Sequence, residues 1–182
     1  MSTIAKKSAG EKVRLMSYAG VFAAITYVLT AHLHIPTGAG YTHAGDGAIF
    51  LAASILPTPY AAAAGAIGAG LADLLSGYAV WLPATVIIKA LTAMFFSSKG
   101  SRILTRRNIL AIVPALVLCV VGYSLYQGTI MSGGVSRESL AIGFAQTPAY
   151  CIQIAASTVL YVALGKGLEK AGIKGVKAKE SK

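Results

Sequence analysis

Three ionisable side chains, Asp46, Asp73 and Lys89, lie within or at the edges of long apolar segments. A charge at the centre of a membrane span costs about 2.5–3.5 kcal/mol on the insertion scale, so it persists when it is paired, hydrated or functional. Lys89 lies roughly 13 Å into its segment at about 1.5 Å per residue, a depth that both acids can share. The groups can pair with one another or contact a ligand, and their shared depth predicts a polar pocket that opens outward.

Aromatic and amide side chains occur at the same depth. Gln146, Tyr150 and Gln153 recur at spacings of four and three, so a helix presents them on one inward face. Tyrosine rings beside amides suit a flat, polar heteroaromatic ligand, because the rings stack and the amides form hydrogen bonds. The candidate ligand-binding residues are Tyr41, His43, Asp46, Tyr78, Trp81, Lys89, Gln146, Tyr150 and Gln153.

A second interpretation applies to part of the aromatic set. Rings often anchor helices at the level of the lipid headgroups, and Trp81, Tyr123 and Tyr126 fit such an interfacial belt. Trp81 is therefore open to both roles.

The sequence contains no pattern that supports catalysis. His43 and Asp46 stand three residues apart and could exchange protons, but no nucleophile accompanies them. The glycine-rich phosphate loop of ATPases, the His-Glu-x-x-His zinc motif and the Cys-x-x-Cys motif are absent. Cys119 and Cys151 lie in apolar runs and behave as small hydrophobic residues. We expect no catalytic residue, no metal and no cofactor.

The apolar content defines the class of protein that holds these residues. Of 182 residues, 55% are hydrophobic and 12% are charged, whereas soluble domains carry about 25% charged residues. Since a span needs about 20 apolar residues, or about 17 at the short end, the pattern predicts an all-α integral membrane protein. We expect one domain over 1–182, with polar tails at 1–12 and 170–182. The six predicted spans are 13–32, 45–57, 59–77, 80–97, 108–127 and 139–165.

The basic residues predict the orientation of these spans. The net charge is +10, and the lysines and arginines cluster at the amino terminus, at 99–107 and in the carboxy-terminal tail. With six spans, all three clusters lie on one side of the membrane, which the positive-inside rule assigns to the cytoplasm together with both termini. Contact with anionic lipid, at about 1 kcal/mol per base near the surface, accounts for the charge without a nucleic-acid partner.

The outer loops are predicted at 33–44, 77–80 and 128–138. The first is dense in glycine, proline and polar residues. Irregular backbone at membrane depth is tolerated only against protein or water, so we favour a lid over a cavity rather than a plain connector.

Small residues recur at spacings of four on two of the predicted spans. In the third span Ala61, Gly65 and Ala69 form one such row and Ala64, Gly68 and Ala72 another, which predicts close internal helix packing. In the first span Ala19 and Ala23 form a small-residue stripe, with Gly20 and Ala24 beside it. The stripe can pack internally or form a groove for a partner helix, and spacing alone leaves both open.

Four consecutive motifs resemble a known family. They read Tyr41-Thr-His-Ala-Gly-Asp46, Ile49-Phe-Leu-Ala-Ala53, Gly68-Ala-Gly-Leu-Ala-Asp-Leu-Leu-Ser-Gly-Tyr78 and Trp81-Leu-Pro-Ala-Thr-Val-Ile-Ile-Lys89. This run resembles the substrate-binding S components of energy-coupling factor transporters, the bacterial vitamin importers. The match is close over 41–93, and elsewhere it rests on the six-span layout and the size.

The resemblance implies a function without catalysis. Members of this family bind one vitamin or precursor in an outward pocket of the cell membrane. They deliver it inward together with a transmembrane coupling subunit and two ATPase subunits. The pair Ala19 and Ala23 matches the family's alanine-rich motif for docking on the coupling subunit. The motifs around Asp46 and Asp73 look most like the members assigned to hydroxymethylpyrimidine or pyridoxine.

Other functions remain open at this stage. Riboflavin, pantothenate, folate or cobalamin would keep the mechanism and change the ligand. A small membrane-embedded enzyme could use His43, Asp46 and Asp73. A solo ion-coupled carrier could use the same charges, although the chain lacks the paired halves that such carriers have.

Overall fold

The computed structural model describes residues 8–173. Helices make up most of this part, and two strands form a hairpin between the first two helices. The helices are α1 (Ala9–Ala31), α2 (Asp46–Ile55), α3 (Thr58–Leu75), α4 (Leu82–Phe95), α5 (Arg106–Leu110), α6 (Ile112–Leu125), α7 (Arg137–Phe144) and α8 (Thr147–Lys170). The strands are β1 (His34–Thr37) and β2 (Gly40–His43); the 3₁₀ turn Ala79–Trp81 precedes α4, and the π-helical segment Tyr126–Met131 follows α6.

The all-α membrane fold predicted from the composition is confirmed. Three helical stretches within residues 8–173 are long and apolar enough to cross a membrane: Ala9–Ala31, Arg106–Met131 and Arg137–Lys170. The second predicted span is short, as its length indicated, and every residue of α2 is buried. Because protein rather than lipid surrounds α2, this helix need not match the thickness of the hydrocarbon layer.

The last predicted span differs most from its expected form. It was expected as one helix over 139–165, but α7 ends at Phe144 and α8 begins at Thr147. Pro148 explains the break, because a proline ring clashes with the carbonyl group four residues earlier, here that of Phe144, and the proline lacks an amide proton. The break places Gln146 at the N-cap of α8 rather than inside a helix.

Two loop and tail boundaries also need correction. The fifth span continues through the π-helical segment to Met131, and α7 begins at Arg137, so the third outer loop is shorter than 128–138. Ser8 caps α1 by accepting a hydrogen bond from the amide of Glu11 at 3.2 Å, which starts the helix inside the predicted polar tail. The rest of the tails, 1–7 and 174–182, lies outside the described residues.

Glycine and alanine bring α1, α2 and α3 close together. Ala61, Ala64 and Ala69 are buried on α3, which confirms the predicted internal packing. A Cβ atom built on Gly68 would stand 2.4 Å from the carbonyl oxygen of Ala23, closer than any real contact. The backbones of α1 and α3 therefore meet directly at this point.

We expect Gly68→Ala to lower the free energy of unfolding by about 1–3 kcal/mol, because the added methyl group must push two backbones apart. Thermal unfolding of the protein in detergent measures the effect. Gly20→Ala is the matched control, since nothing lies within 4 Å of a Cβ atom on Gly20 and alanine favours a helix by about 0.5–1 kcal/mol. Equal melting temperatures for the two variants would contradict this packing.

The first outer loop is a β-hairpin rather than an irregular connector. β1 pairs antiparallel with β2, with His34 opposite His43 and Thr37 opposite Gly40. The turn residues are Gly38 and Ala39, and Gly38 has a φ of 56°. Two-residue hairpin turns need a left-handed residue at the first position, which glycine supplies without steric cost.

A buried asparagine fixes the loop between α4 and α5 at the end of the bundle opposite the hairpin. Asn108 donates to the carbonyl oxygens of Ser97 at 3.0 Å and Ile103 at 2.9 Å, and its side-chain oxygen accepts from the amide of Ser97 at 2.9 Å. Arg102 also forms a 3.1 Å ion pair with Glu169 on α8. This basic loop is thus attached to the bundle.

Candidate ligand-binding site

A small cavity lies between the hairpin and helices α3, α4, α6 and α8. Its volume is about 30 Å³, which is room for roughly two or three water molecules. Six of the nine residues predicted to bind a ligand line it, and four further residues complete the wall. The lining residues are Gly40, Tyr41, His43, Asp73, Trp81, Thr85, Tyr123, Gln146, Tyr150 and Gln153.

The hairpin closes one side of this cavity and is fastened at several points. The indole nitrogen of Trp81 donates to the carbonyl oxygen of Ala39 at 3.1 Å. The hydroxyl of Thr42 donates to the carbonyl oxygen of Ala149 at 3.0 Å. The hydroxyl of Tyr41 donates to a carboxylate oxygen of Asp73. The hairpin therefore has the position that a lid requires.

Three aromatic rings form the apolar wall. Tyr123 and Tyr150 stack with their centroids 5.6 Å apart, and Trp81 meets Tyr123 edge-on at 5.8 Å. The hydroxyl of Tyr123 donates to the Thr85 hydroxyl at 3.1 Å. Only 7% of Tyr123 and 5% of Trp81 is exposed, so the interfacial-belt interpretation is wrong for both. The faces of Tyr123 and Tyr150, with hydrogen-bonding groups nearby, can hold a planar ligand ring.

A buried ion pair lies behind the lining of the cavity. Lys89 Nζ lies 2.6 Å from Asp46 Oδ1, and each side chain is 1% exposed. Gln153 Nε2 donates to the other oxygen, Asp46 Oδ2, at 2.7 Å. The ammonium of Lys89 also lies 5.2 Å from the centre of the Tyr123 ring. Asp46 and Lys89 therefore lie behind the residues that line the cavity. Gln153 and Tyr123, which do line it, contact the pair.

Asp73 is the functional candidate that the sequence indicated only in part. Its depth marked it as unusual, but it was not among the nine proposed ligand-binding residues. It is 4% exposed, and it lines the cavity. One carboxylate oxygen accepts from Tyr41, and the other, Oδ2, has no hydrogen-bond partner among the described residues. Thr85 carried no sequence signal for the cavity, and Tyr123 was interpreted as an interfacial ring, because only the packing of α4 against α6 turns both inward.

Tyr78 lies beside the cavity, whereas His43 and Tyr41 belong to its lining. Tyr78 packs against Tyr41 with centroids 4.6 Å apart and does not line the cavity. Burial lowers the pKa of His43 from its ordinary value to about 3, because an imidazolium would lose its hydration there. Burial, followed by the neighbouring Asp73 carboxylate, raises the pKa of Tyr41. His43 and Tyr41 are therefore both uncharged near neutral pH.

The small-residue stripe of α1 lies at the edge of its contact with α3. Ala19 and Ala23 are half-buried, and Ala19 packs against the hydrophobic core. The carbonyl group of Ala23 faces Gly68 of α3. The neighbouring Gly20 and Ala24 are exposed. The stripe thus contributes to internal packing and also borders the outer surface of the bundle.

These features define a multi-pass membrane protein with a buried, partly polar cavity under a β-hairpin. The family model described as the S component of ECF-type riboflavin transporters matches residues 10–170. The chain belongs to this family of S components. A search of curated protein sequences gave no match. The chain is the substrate-specific subunit of a vitamin transporter, and its family is one of transporter components rather than enzymes.

Proposed function

We propose that this chain binds a small, single-ring vitamin or precursor in its cavity and delivers it across the plasma membrane of a bacterium. Hydroxymethylpyrimidine and pyridoxine are the favoured ligands. Delivery requires a transmembrane coupling subunit and two ATPase subunits, as S components work in such assemblies. The cavity supports this function, because it joins stacked aromatic rings to polar side chains under the hairpin.

The size of the cavity favours a single ring over a larger vitamin. About 30 Å³ is free with the hairpin fastened, so any vitamin must displace side chains or the hairpin to enter. A single ring requires a smaller displacement than three fused rings, and it matches the flat space beside Tyr150 and Tyr123. We therefore place the ring against these tyrosines and its polar substituents near Asp73 and Gln153.

Riboflavin is the second candidate, since the matching family model carries that vitamin in its description. It requires the hairpin to move further away from Trp81 and Tyr150. The two candidates thus differ in how far the cavity must expand, as well as in ligand chemistry.

Native mass spectrometry of the detergent-purified protein tests the proposal first. The small molecule that copurifies is released and identified, and the emptied protein is then titrated with a panel of vitamins. A pyrimidine or pyridine ligand supports the favoured function, and riboflavin supports the second candidate. A protein that copurifies with nothing and binds nothing in the panel would overturn both.

An uptake assay distinguishes ATP-driven vitamin import from the solo-carrier and enzyme hypotheses. Liposomes that contain the chain together with a coupling subunit and two ATPases are expected to take up the vitamin only when ATP is present. Uptake by the chain alone under an ion gradient would instead support a solo carrier. Chemical turnover by the isolated chain that depends on Asp73 would support an enzyme.

Tyr150→Leu is expected to weaken ligand binding by about two- to tenfold, because it removes one of two stacked rings, and a ring contact exceeds its area burial by about 0.5–1.5 kcal/mol. Isothermal titration with the identified ligand measures the change. Ile152→Ala is the control, since Ile152 lies on the same helix and is 62% exposed. Association with the coupling subunit should be unchanged in both variants, and an unaltered affinity would remove Tyr150 from the site.

The basic residues near the predicted cytoplasmic side have a separate proposed role. Arg102, Lys166 and Lys170 border a surface concavity at the end of α8. Contact of these bases with anionic lipid headgroups supports the predicted orientation and requires no nucleic acid.

A further inference from the structure

We propose that the cavity selects ligands that donate hydrogen bonds, because the buried pair of Asp46 and Lys89 orients Gln153 so that its amide oxygen faces the ligand beside Asp73. The inference rests on the proposed function, and it names the chemistry by which one vitamin is distinguished from another of similar size.

The orientation of Gln153 follows from the chemistry of its neighbour. A carboxylate only accepts hydrogen bonds, so the amide atom 2.7 Å from Asp46 Oδ2 must be the nitrogen. The same nitrogen lies 3.8 Å from the sulfur of Cys119, a buried residue that does not line the cavity. With the nitrogen occupied, the amide oxygen is the polar atom of Gln153 that remains for a ligand.

The ion pair holds this arrangement in place. Lys89 occupies Asp46 Oδ1 at 2.6 Å and compensates its charge, so the carboxylate stays an acceptor toward Gln153. Both partners are fully buried, which keeps water from competing for either oxygen. Asp46 and Lys89 are therefore positioning residues, because they act on the ligand through Gln153 without lining the cavity.

Asp73 supplies a second fixed acceptor. Its Oδ2 atom is buried and has no hydrogen-bond partner within residues 8–173. An unpaired buried carboxylate oxygen is costly, and a ligand N–H or O–H group would satisfy it. Tyr41 fixes the carboxylate by donating to the other oxygen.

Most other polar groups of the lining are already committed or can adapt, and His43 keeps one donor that a ring nitrogen of the ligand can accept from. Gln146 donates from Nε2 to Gln127 Oε1 at 3.1 Å, and its own oxygen faces the Thr37 hydroxyl at 3.5 Å. The Tyr150 hydroxyl can rotate and serve as donor or acceptor. His43 accepts from the amide of Gly45 through Nδ1 at 3.1 Å, which leaves its proton on Nε2. Gln153 and Asp73 therefore provide the acceptors whose direction is fixed.

The matching ligand is a heteroaromatic ring with at least two donor groups, such as an amino and a hydroxymethyl substituent. Replacing the amino group by a carbonyl oxygen sets an acceptor against an acceptor and leaves both unpaired in a dry site, because the proton that the ring then carries on its neighbouring nitrogen stands at a different position. Sites built for hydrogen bonds reject such analogues strongly, because the buried polar groups lose their partners.

Two ligands of equal size test the inference. One is an aminopyrimidine with a hydroxymethyl group, and the other is the same ring with a carbonyl oxygen in place of the amino group. We expect the wild-type protein to bind the first at least about tenfold more tightly, the factor that a lost charge-assisted hydrogen bond supports. Binding is measured by isothermal titration on the full chain in detergent.

The double variant Asp46→Asn/Lys89→Met tests the positioning role. It removes the carboxylate and its counter-ion together, so the Gln153 amide can turn either way. We expect this variant to lose most of the preference between the two ligands while still binding a pyrimidine. Gln153→Met, which removes the acceptor itself, is expected to lose the preference too and provides a second test if the double variant does not fold. Thr92→Val, one turn further along α4 and outside this network, should keep the preference.

The outcomes distinguish this inference from the function on which it rests. Wild-type protein that binds both pyrimidines equally, or a double variant that keeps the full preference, would overturn the inference and leave vitamin binding intact. Protein that binds neither pyrimidine but binds riboflavin would overturn the inference and favour the second candidate function. Protein that binds no vitamin would overturn the proposed function.

Discussion

Lys89→Met is expected to lower the free energy of unfolding by about 3–5 kcal/mol, because it leaves the carboxylate of Asp46 buried without its counter-ion. Both side chains are 1% exposed, and their charged atoms are 2.6 Å apart. Because Asp46 is buried, water does not replace the lost ammonium group. The Gln153 amide donates to only one of the two oxygens of the Asp46 carboxylate. Chemical or thermal unfolding in detergent measures the loss.

The double variant Asp46→Asn/Lys89→Met is the control for this prediction. It removes both charges and keeps the volume of the side chains, and replacing a whole buried ion pair is often neutral or stabilising. We expect it to recover most of the stability that the single variant loses. A single variant as stable as the wild type would show that the pair is hydrated or unformed in the membrane.

Substituting tryptophan for both Ala19 and Ala23 is expected to abolish association with the coupling subunit while sparing ligand binding. Small residues allow helices to approach closely, and two indole rings on the same flank of α1 prevent that approach. Neither alanine lines the cavity. Copurification with the coupling subunit and the ATPases measures assembly, and titration with the identified vitamin measures binding.

Val21→Trp/Ile25→Trp is the matched control. These residues are 56% and 40% exposed, and about 100° of rotation per residue places them on the opposite flank of α1. We expect this variant to assemble normally, since lipid can accommodate the added rings. Two results would count against the docking role of Ala19 and Ala23: normal assembly of their tryptophan variant, or an equal loss of ligand binding.

Much of the fold could be predicted from one-dimensional patterns. The membrane class follows from apolar content, and the common face of Tyr150 and Gln153 follows from helical spacing, which is local and holds whatever the helices pack against, whereas Gln146 reaches the cavity from the N-cap of α8. The prediction failed where local chemistry was overlooked. Pro148 breaks the last span after Phe144, and the turn at Gly38 and Ala39 folds the first outer loop into strands.

Side-chain partners across helices could not be predicted in this way. The sequence placed Asp46, Asp73 and Lys89 at one depth but could not assign their pairing, because pairing depends on how each helix is rotated about its axis. In the structure Lys89 forms an ion pair with Asp46, and Asp73 accepts a hydrogen bond from Tyr41 of the hairpin. It also turns Tyr123 inward against Tyr150, although the sequence placed it at the interface.

The sequence by itself determined that this protein is a helical membrane protein with charges and aromatic residues at one depth, since hydropathy and spacing are properties of the chain. Tertiary structure decided which of these groups face the cavity. α2 is buried on all sides, so its Asp46 pairs with Lys89 behind the cavity lining. Asp73 keeps one oxygen without a hydrogen-bond partner among residues 8–173, and its other oxygen accepts from Tyr41 of the distant hairpin rather than from any local group.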